Sequence, residues 1–234
     1  IGSAGLVSSL SGEDHMHWTE YLPALFKGAQ ITVVLALSSM AIGTLLAFAA
    51  GIARFAGGPI LSTIAVIYIE IFRGTSLLVQ LFWLYYALPL IGISFDPLTT
   101  GIMGLGLNRG AYGAEVVRGA LKSVPEAQHE AARALNFSRG HTLFHIVLPQ
   151  AVVEMMPAFG NLAIHNLKDT ALASLIAISD LTFQAQRLRN LTLDNVTIYS
   201  LTLLGYFAMA LVLASAIRWL ERRLKRQTMA GGFA

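Results

Sequence analysis

Two segments of this chain contain no charged residue over the length of a membrane-spanning helix: residues 28–53 and residues 196–217. A helix that crosses a bilayer needs about 20 mostly apolar residues. The composition agrees, because only 12% of the residues are charged, whereas soluble domains carry about 25%. We therefore predict an all-α, polytopic membrane protein.

Three further apolar stretches are interrupted by polar side chains, and these are Glu70, Arg73, Arg109, Glu115, Glu154, His165, Lys168 and Asp169. Together with the two charge-free segments they predict about five transmembrane helices, in a single domain over residues 1–234. The predicted spans are residues 28–53, 60–91, 97–119, 146–179 and 196–220. The fourth stretch is long enough to be a broken or re-entrant element instead of one straight helix.

The distribution of Lys and Arg predicts the orientation. Five basic residues follow the charge-free segment 196–217, at the end of the last span and beyond it: Arg218, Arg222, Arg223, Lys225 and Arg226. Cytoplasmic loops carry an excess of such residues. With five spans, the C-terminus is then cytoplasmic and the N-terminus lies outside. The long loop at residues 122–145 also falls on the cytoplasmic side.

This loop predicts a short helix between two turns. Ser123, followed by Pro125 and Glu126, is typical of a capping box with proline in the first turn, so a helix is expected over about residues 125–135. Asn136 should end it, because Asn tolerates the left-handed conformation found at helix C-termini. Ser138 can cap the next helix. The small side chains at helical spacing are Ala127, Ala131 and Ala132, followed by Leu135.

The string in the loop resembles the signature loop of ABC importer permeases. Glu130-Ala131-Ala132 is followed after three residues by Asn136, and after nine more by Ile146, with Leu148-Pro149 two positions on. The family has Gly at the position of Asn136. Asn is a common substitute for Gly in the left-handed conformation, so this departure puts little in doubt.

The resemblance extends over about residues 29–221. The strings at residues 71–75, 77–80, 111–112, 115, 118–120, 123–125 and 168–175 are similar to the polar amino acid branch of the family, which imports histidine, glutamine and arginine. Ser76 stands where that branch usually has Pro. The resemblance implies the ABC type I importer permease fold in the bacterial inner membrane, and uptake of a small polar solute, most simply an amino acid or a derivative of one.

Several partners are implied by this resemblance: a dimer of ATP-binding subunits, a second permease subunit, a periplasmic or lipid-anchored solute-binding protein, membrane lipid and the solute, but no nucleic acid. The loop helix is expected to dock on the ATP-binding subunit through Glu126, Glu130, Ala131, Ala132, Arg133 and Asn136. The chain has no G-x-x-x-x-G-K-[ST] motif. ATP and Mg²⁺ are therefore expected to bind to the partner subunit, where hydrolysis of ATP drives alternating access. This chain is predicted to have no cofactor and no enzymatic activity.

Ionisable side chains inside spans are costly and often functional. We take Glu70, Arg73 and Gln80 as one candidate part of a substrate pathway, although Glu70 and Arg73 could also form a structural ion pair. The densest polar cluster is Asn166, Lys168, Asp169 and Thr170. Lys168 and Asp169 offer both signs of charge for a zwitterion, although they could instead pair with each other or with a neighbouring subunit.

Two other classes of function compete with that of an importer permease. A stand-alone channel or ion-coupled carrier would also use intramembrane charges, but it has no need of the signature loop. An intramembrane enzyme would need a catalytic motif. The sequence has no cysteine, no H-E-x-x-H and no G-x-S-x-G, so we expect neither a metal site nor a catalytic site.

Overall fold

The computed structural model describes residues 18–230, and side chains as far as residue 223. The predicted domain therefore extends at both ends outside the described residues, as do the side chains of Lys225 and Arg226. Every regular element among residues 18–230 is helical. The helices are α1 (Trp18–Ala56), α2 (Pro59–Gly74), α3 (Leu77–Ile91), α4 (Pro97–Ser123), α5 (Glu126–Ala134), α6 (Arg139–Ile176), α7 (Leu181–Thr192) and α8 (Asn195–Ala230).

Three of the described helices are long and apolar enough to cross a membrane by themselves, namely α1, α6 and the Asn195–Arg223 part of α8. Helices α2 and α3 meet the same criterion only as a bent pair. Helix α4 has 27 residues, or about 40 Å at 1.5 Å per residue, which is also enough to cross. Its composition is less apolar because much of its surface faces other helices. Five spans remain a prediction that depends on α4 and the bent pair.

Helices α1 and α4 form the centre of the bundle, and glycines set their separation. A Cβ atom at Gly51 of α1 would lie 2.8 Å from the carbonyl oxygen of Ala114 and 2.7 Å from Cβ of Val117. A Cβ at Gly110 of α4 would lie 3.3 Å from the carbonyl oxygen of Gly43. Small residues are the usual means by which membrane helices approach closely. The two helices therefore pack backbone against backbone.

The predicted second span, residues 60–91, is not one straight helix. Helix α2 ends at Gly74, and the chain turns by 103° before α3 begins at Leu77. Gln80 closes the break: its Nε2 donates to the carbonyl oxygen of Phe72 at 2.9 Å and to Oγ1 of Thr75 at 2.7 Å. Helix ends leave carbonyl groups without partners, and lipid cannot supply them. The bend is therefore stable only with such side-chain donors.

Helix α6 shows that the fourth span is continuous. It begins at Arg139, inside the predicted loop, and reaches Ile176 through a π-helical turn at Thr142–Val147 and a 3₁₀ segment at Thr170–Ile176. Ala177, with φ 62°, ends it. One helix of 38 residues thus joins the loop to the polar cluster.

Helix α7 is a short connecting helix that the sequence analysis did not predict. Asp180 caps its N-terminus, accepting a hydrogen bond from the backbone N–H of Phe183 at 2.8 Å. The other carboxylate oxygen accepts from the hydroxyl of Tyr206 on α8 at 3.2 Å. Thr32 of α1 accepts from the backbone N–H of Leu181 at 3.1 Å. These bonds fix the connection between α6 and α8 onto α1.

Candidate functional site

The loop helix α5 forms close to where the sequence predicts it. It runs from Glu126 to Ala134 and ends in the left-handed conformation at Asn136, whose φ is 58°. The backbone N–H of Phe137 donates to the carbonyl of Ala132 at 3.0 Å, and that of Asn136 donates to the carbonyl of Arg133 at 2.9 Å. This pair of bonds is the Schellman motif. The prediction for Asn136 is confirmed.

The two predicted caps have different outcomes. Ser138 caps α6, because its Oγ accepts from the backbone N–H of His141 at 3.3 Å. The capping box at Ser123 is wrong. Helix α4 continues through Ser123, whose hydroxyl donates to the carbonyl of Ala120 at 2.8 Å. Glu126 is paired with Arg133 at 2.7 Å instead.

Helix α5 presents two different faces. Ala132 is buried, with 1% of its surface exposed, so the predicted alanine stripe is only partly available to a partner. At 100° per residue, Ala127, Glu130, Ala131 and Ala134 share one exposed face. Glu126, His129 and Arg133 lie on another face, along a cleft towards the ends of α1 and α4. The first face is therefore the one left free for a partner protein.

A charged cluster joins α1 to α4 in the half of the bundle near α5. Glu115 accepts hydrogen bonds from Arg118 at 2.8 Å and 3.2 Å, and it is also paired with Arg54, at the end of α1. The proximity of Glu115 and Arg118 follows from their spacing, three residues apart on one helix. The contact with Arg54 joins residues 61 positions apart, and the sequence gives no signal for it.

The central polar feature of the bundle is an ion pair between Arg109 of α4 and Asp169 of α6. The Arg109 side chain is 9% exposed and that of Asp169 is 34% exposed, so the carboxylate remains accessible from one side. Tyr112 lies next to this pair. Its ring centre is 5.8 Å from the Arg109 guanidinium carbon and 5.4 Å from that of Arg73 on α2. Tyr112 and Arg109 of α4 therefore contact α2 through Arg73 and α6 through Asp169, respectively.

The structure divides the predicted pathway residues into two groups. Gln80, Asn166 and Thr170 are buried, and their donor groups are used inside the chain. Asn166 donates to the carbonyl of Ala36 at 2.9 Å and to Oγ of Ser39 at 2.8 Å, which ties α6 to α1. Thr170 donates to the carbonyl of Leu167 at 2.7 Å. Asn166 and Gln80 therefore join different helices, whereas Thr170 bonds only within its own helix.

The second group is accessible. Glu70, Arg73 and Lys168 are exposed, and Asp169 is half-buried. Among the described residues, no ion pair joins Glu70 to Arg73 or Lys168 to Asp169. The partner of Asp169 is Arg109, which was not among the predicted site residues, nor was Tyr112. Arg109 and Tyr112 are three residues apart on α4, and this spacing is the only feature of the sequence that could have linked them.

Residues 39–226 match the protein family described as binding-protein-dependent transport system inner membrane component. The chain therefore belongs to this family of ABC importer permeases. It is 49% identical to a probable amino-acid ABC transporter permease protein, y4tF, of Sinorhizobium fredii, over 93% of this chain and 94% of that protein. It is 36% identical to the glutamine transport system permease protein GlnP of Escherichia coli K12, over 87% and 94% of the two chains.

Solved structures show the same fold. A crystal structure of an amino acid ABC transporter with histidines contains a chain that superposes with a TM-score of 0.83 at 32% identity, over 90% of this chain and 98% of the other. An inward-facing MetNI methionine ABC transporter gives 0.75 at 18% identity. The predicted all-α permease fold is confirmed, and the chain is a multi-pass inner-membrane permease subunit. The alternative of a stand-alone channel or carrier finds no support among these matches.

Proposed function

We propose that this permease takes up an amino acid or a closely related zwitterion, and that the solute passes the Arg109–Asp169 ion pair. Similarity to amino-acid permeases supports the substrate class. The observation that carries the proposal is the accessible side of Asp169 in the membrane bundle. Its partner Arg109 lies over the ring of Tyr112, and Arg73 lies over the same ring.

The chemistry of this cluster suits a zwitterion. An α-ammonium group needs an anion, and half-exposed Asp169 provides one. An α-carboxylate needs a cation, and exposed Arg73 and Lys168 have no ion-pair partner among the described residues. Arg109 is already engaged by Asp169, but its Nε is buried without a hydrogen-bond partner. Such a donor favours an acceptor arriving at the site, because an unpaired buried polar group is costly.

The exposed face of α5 is the proposed contact with an ATP-binding subunit. Ala127 and Ala131 permit close approach, and Glu130 offers a carboxylate to an Arg or a backbone donor. Of the other predicted coupling residues, Ala132 and Asn136 shape the helix and its turn, and Glu126 and Arg133 pair with each other on an adjoining face of the same helix. The ATP-binding subunits form a dimer and bind ATP and Mg²⁺, so this chain needs no cofactor of its own.

The remaining assembly follows the same proposal. Two permease subunits, identical or homologous, form the pathway, and a periplasmic or lipid-anchored solute-binding protein delivers the solute. We infer that the C-terminus lies in the cytoplasm and the N-terminus outside, and the excess of basic residues after the last apolar segment supports this orientation. Closure of the ATP-binding dimer then moves the α5 helices, and the attached spans change which side of the membrane is open.

The test is ATP-driven uptake of labelled amino acids by the complete complex in proteoliposomes. Asp169→Asn should lower uptake at least tenfold while the complex stays assembled. The matched control is Glu154→Gln, the same loss of charge at an exposed position on the same helix, which should leave uptake unchanged. If Asp169→Asn transported every amino acid as well as the wild type, the pathway would not pass this pair.

A further inference from the structure

A cleft of about 760 Å³ lies behind the loop helix, on the side away from its exposed alanines. Its walls come from the ends of α1 and α4, one face of α5, and the first turns of α6. The apolar lining includes Phe55, Leu121 and Leu143. The cleft thus joins the elements that must move together when α5 is displaced.

The polar lining is mainly basic. Lys122, Arg133, Arg139 and His129 border the cleft, and Glu126 is the one carboxylate among its lining residues. Arg133 is paired with Glu126 at 2.7 Å. Lys122 and Arg139 are exposed and form no ion pair with any described residue. Two cations in a concave site therefore have no ion-pair partner within the described part of the chain.

We propose that this cleft binds a phosphate-bearing anion between Lys122 and Arg139, and that the bound anion braces α5 against α1, α4 and α6. Guanidinium and ammonium groups are the usual partners of phosphate. The ligand occupies the rear face of α5, so it leaves the face of Glu130 and Ala131 free. The bound anion would limit the distance that α5 can move relative to these three helices.

Two sources can supply this chemistry. One is the headgroup of an anionic phospholipid, since the cleft lies where α1 and α4 end and its lining is partly apolar, and basic clusters at a membrane surface attract such lipids. The other is a soluble phosphate ester. The lipid would enter with its acyl chains along Phe55 and Leu143, whereas the soluble ester would use the cations alone.

The experiment measures binding to the purified complex in a neutral detergent, so it does not depend on the identity of the transported solute. Three probes are compared: dihexanoyl phosphatidylglycerol, which contains a phosphodiester; glycerol phosphate, a soluble phosphomonoester without acyl chains; and dihexanoyl phosphatidylcholine as the lipid without net charge. The test variant is Lys122→Gln with Arg139→Gln. The control is Lys27→Gln with Arg187→Gln, which also removes two exposed cations, from parts of the chain that do not line the cleft.

We expect the wild type to bind phosphatidylglycerol at least tenfold more tightly than phosphatidylcholine, and the test variant to lose about tenfold or more of that affinity. The control variant should bind as the wild type does. Equal binding of glycerol phosphate would support the site and identify its ligand as a soluble anion. The proposal is overturned if the test variant binds both anionic probes like the wild type, or if phosphatidylcholine binds as tightly as phosphatidylglycerol.

Discussion

Arg109 on α4 and Asp169 on α6 pair with each other in the membrane bundle, although 60 positions separate them in the chain. Ion pairs in low-dielectric surroundings are stable only while both partners are present, because either charge alone is costly to bury. Removal of either residue therefore leaves the other as an unpaired charge inside the bundle. The pair both fastens α4 to α6 and keeps an accessible carboxylate next to Tyr112.

A double-mutant cycle tests this fastening. Arg109→Gln and Asp169→Asn should each lower stability by about 2 kcal/mol, somewhat below the value for a fully buried pair, because Asp169 is 34% exposed. The double variant should recover part of the loss, since no unpaired charge remains. The measurement is thermal unfolding followed by tryptophan fluorescence. Glu70→Gln, at an exposed position without an ion pair among the described residues, serves as the control, and strictly additive losses would contradict the pairing.

The exposed face of α5 makes a second prediction. Glu130→Arg should abolish ATP-driven uptake and weaken copurification with the ATP-binding subunit at least tenfold, because it reverses the charge offered to that partner. Gln128→Arg adds the same side chain about 160° around the helix, at 100° per residue, and should retain association. Pull-down and ATPase stimulation measure both effects. Unchanged coupling in Glu130→Arg would mean that the subunit docks elsewhere.

Asp180 predicts a pH dependence of stability. Burial raises the pKa of this carboxyl to about 6, against hydrogen bonds from Phe183 and Tyr206 that lower it. The folded state therefore holds the proton more tightly than the unfolded state, whose pKa is about 3.9. Stability should fall as pH rises from about 4 to about 6, by up to roughly 3 kcal/mol, and then level off.

The variants at this position separate charge from capping. Asp180→Asn keeps an oxygen that can cap α7, as Asn is also a favourable N-cap, and it removes the carboxyl proton. Its difference in stability from the wild type should therefore change between pH 4 and pH 6. Asp180→Ala removes the carboxyl proton and the cap together, so it should be about 1 kcal/mol less stable than Asp180→Asn at every pH. Parallel unfolding curves for wild type and Asp180→Asn across this range would show that Asp180 does not titrate there.

The contact between α1 and α4 gives a fourth prediction. Gly51→Ala places a Cβ within 2.8 Å of the carbonyl oxygen of Ala114, which the backbone cannot relieve cheaply. We expect a loss of about 1–3 kcal/mol from overpacking. Gly119→Ala is the matched control, since a Cβ there meets nothing within 4 Å. That change should be neutral or slightly stabilising in a helix. Equal unfolding temperatures for the two variants would contradict the close packing.

The loop could be predicted from the sequence because its geometry is local. Asn136 takes a positive φ and Ser138 caps the following helix, and both depend only on residues within a few positions. The capping box predicted at Ser123 from equally local sequence signals is wrong. A capping box requires the preceding helix to have ended already, and whether α4 ends at residue 119 or at residue 123 is decided by packing. The sequence pattern at residues 123–126 contains no information on where α4 ends.

The intramembrane site was only half predictable. Asp169 is conspicuous in the sequence because it is a charge in an apolar stretch, but its partner could not be identified, as several cations lie in other spans. The bend between α2 and α3 was missed for a related reason. Its hydrogen-bonding partners are Gln80 and Asn108, and Asn108 of α4 donates to the carbonyl of Phe72 at 3.0 Å. Contacts between helices decide both features, and one sequence does not show them.

The continuity of α6 has a mechanical consequence. From Arg139, which borders the cleft behind α5, to Asp169, which holds the central ion pair, the helix extends about 45 Å at 1.5 Å per residue. A rod of that length works as a lever. A tilt of about 5° imposed at the Arg139 end would move the Asp169 carboxylate by roughly 4 Å, at the helical rise just given. That distance is more than a hydrogen bond spans, so a small rotation at the base is enough to part Arg109 from Asp169.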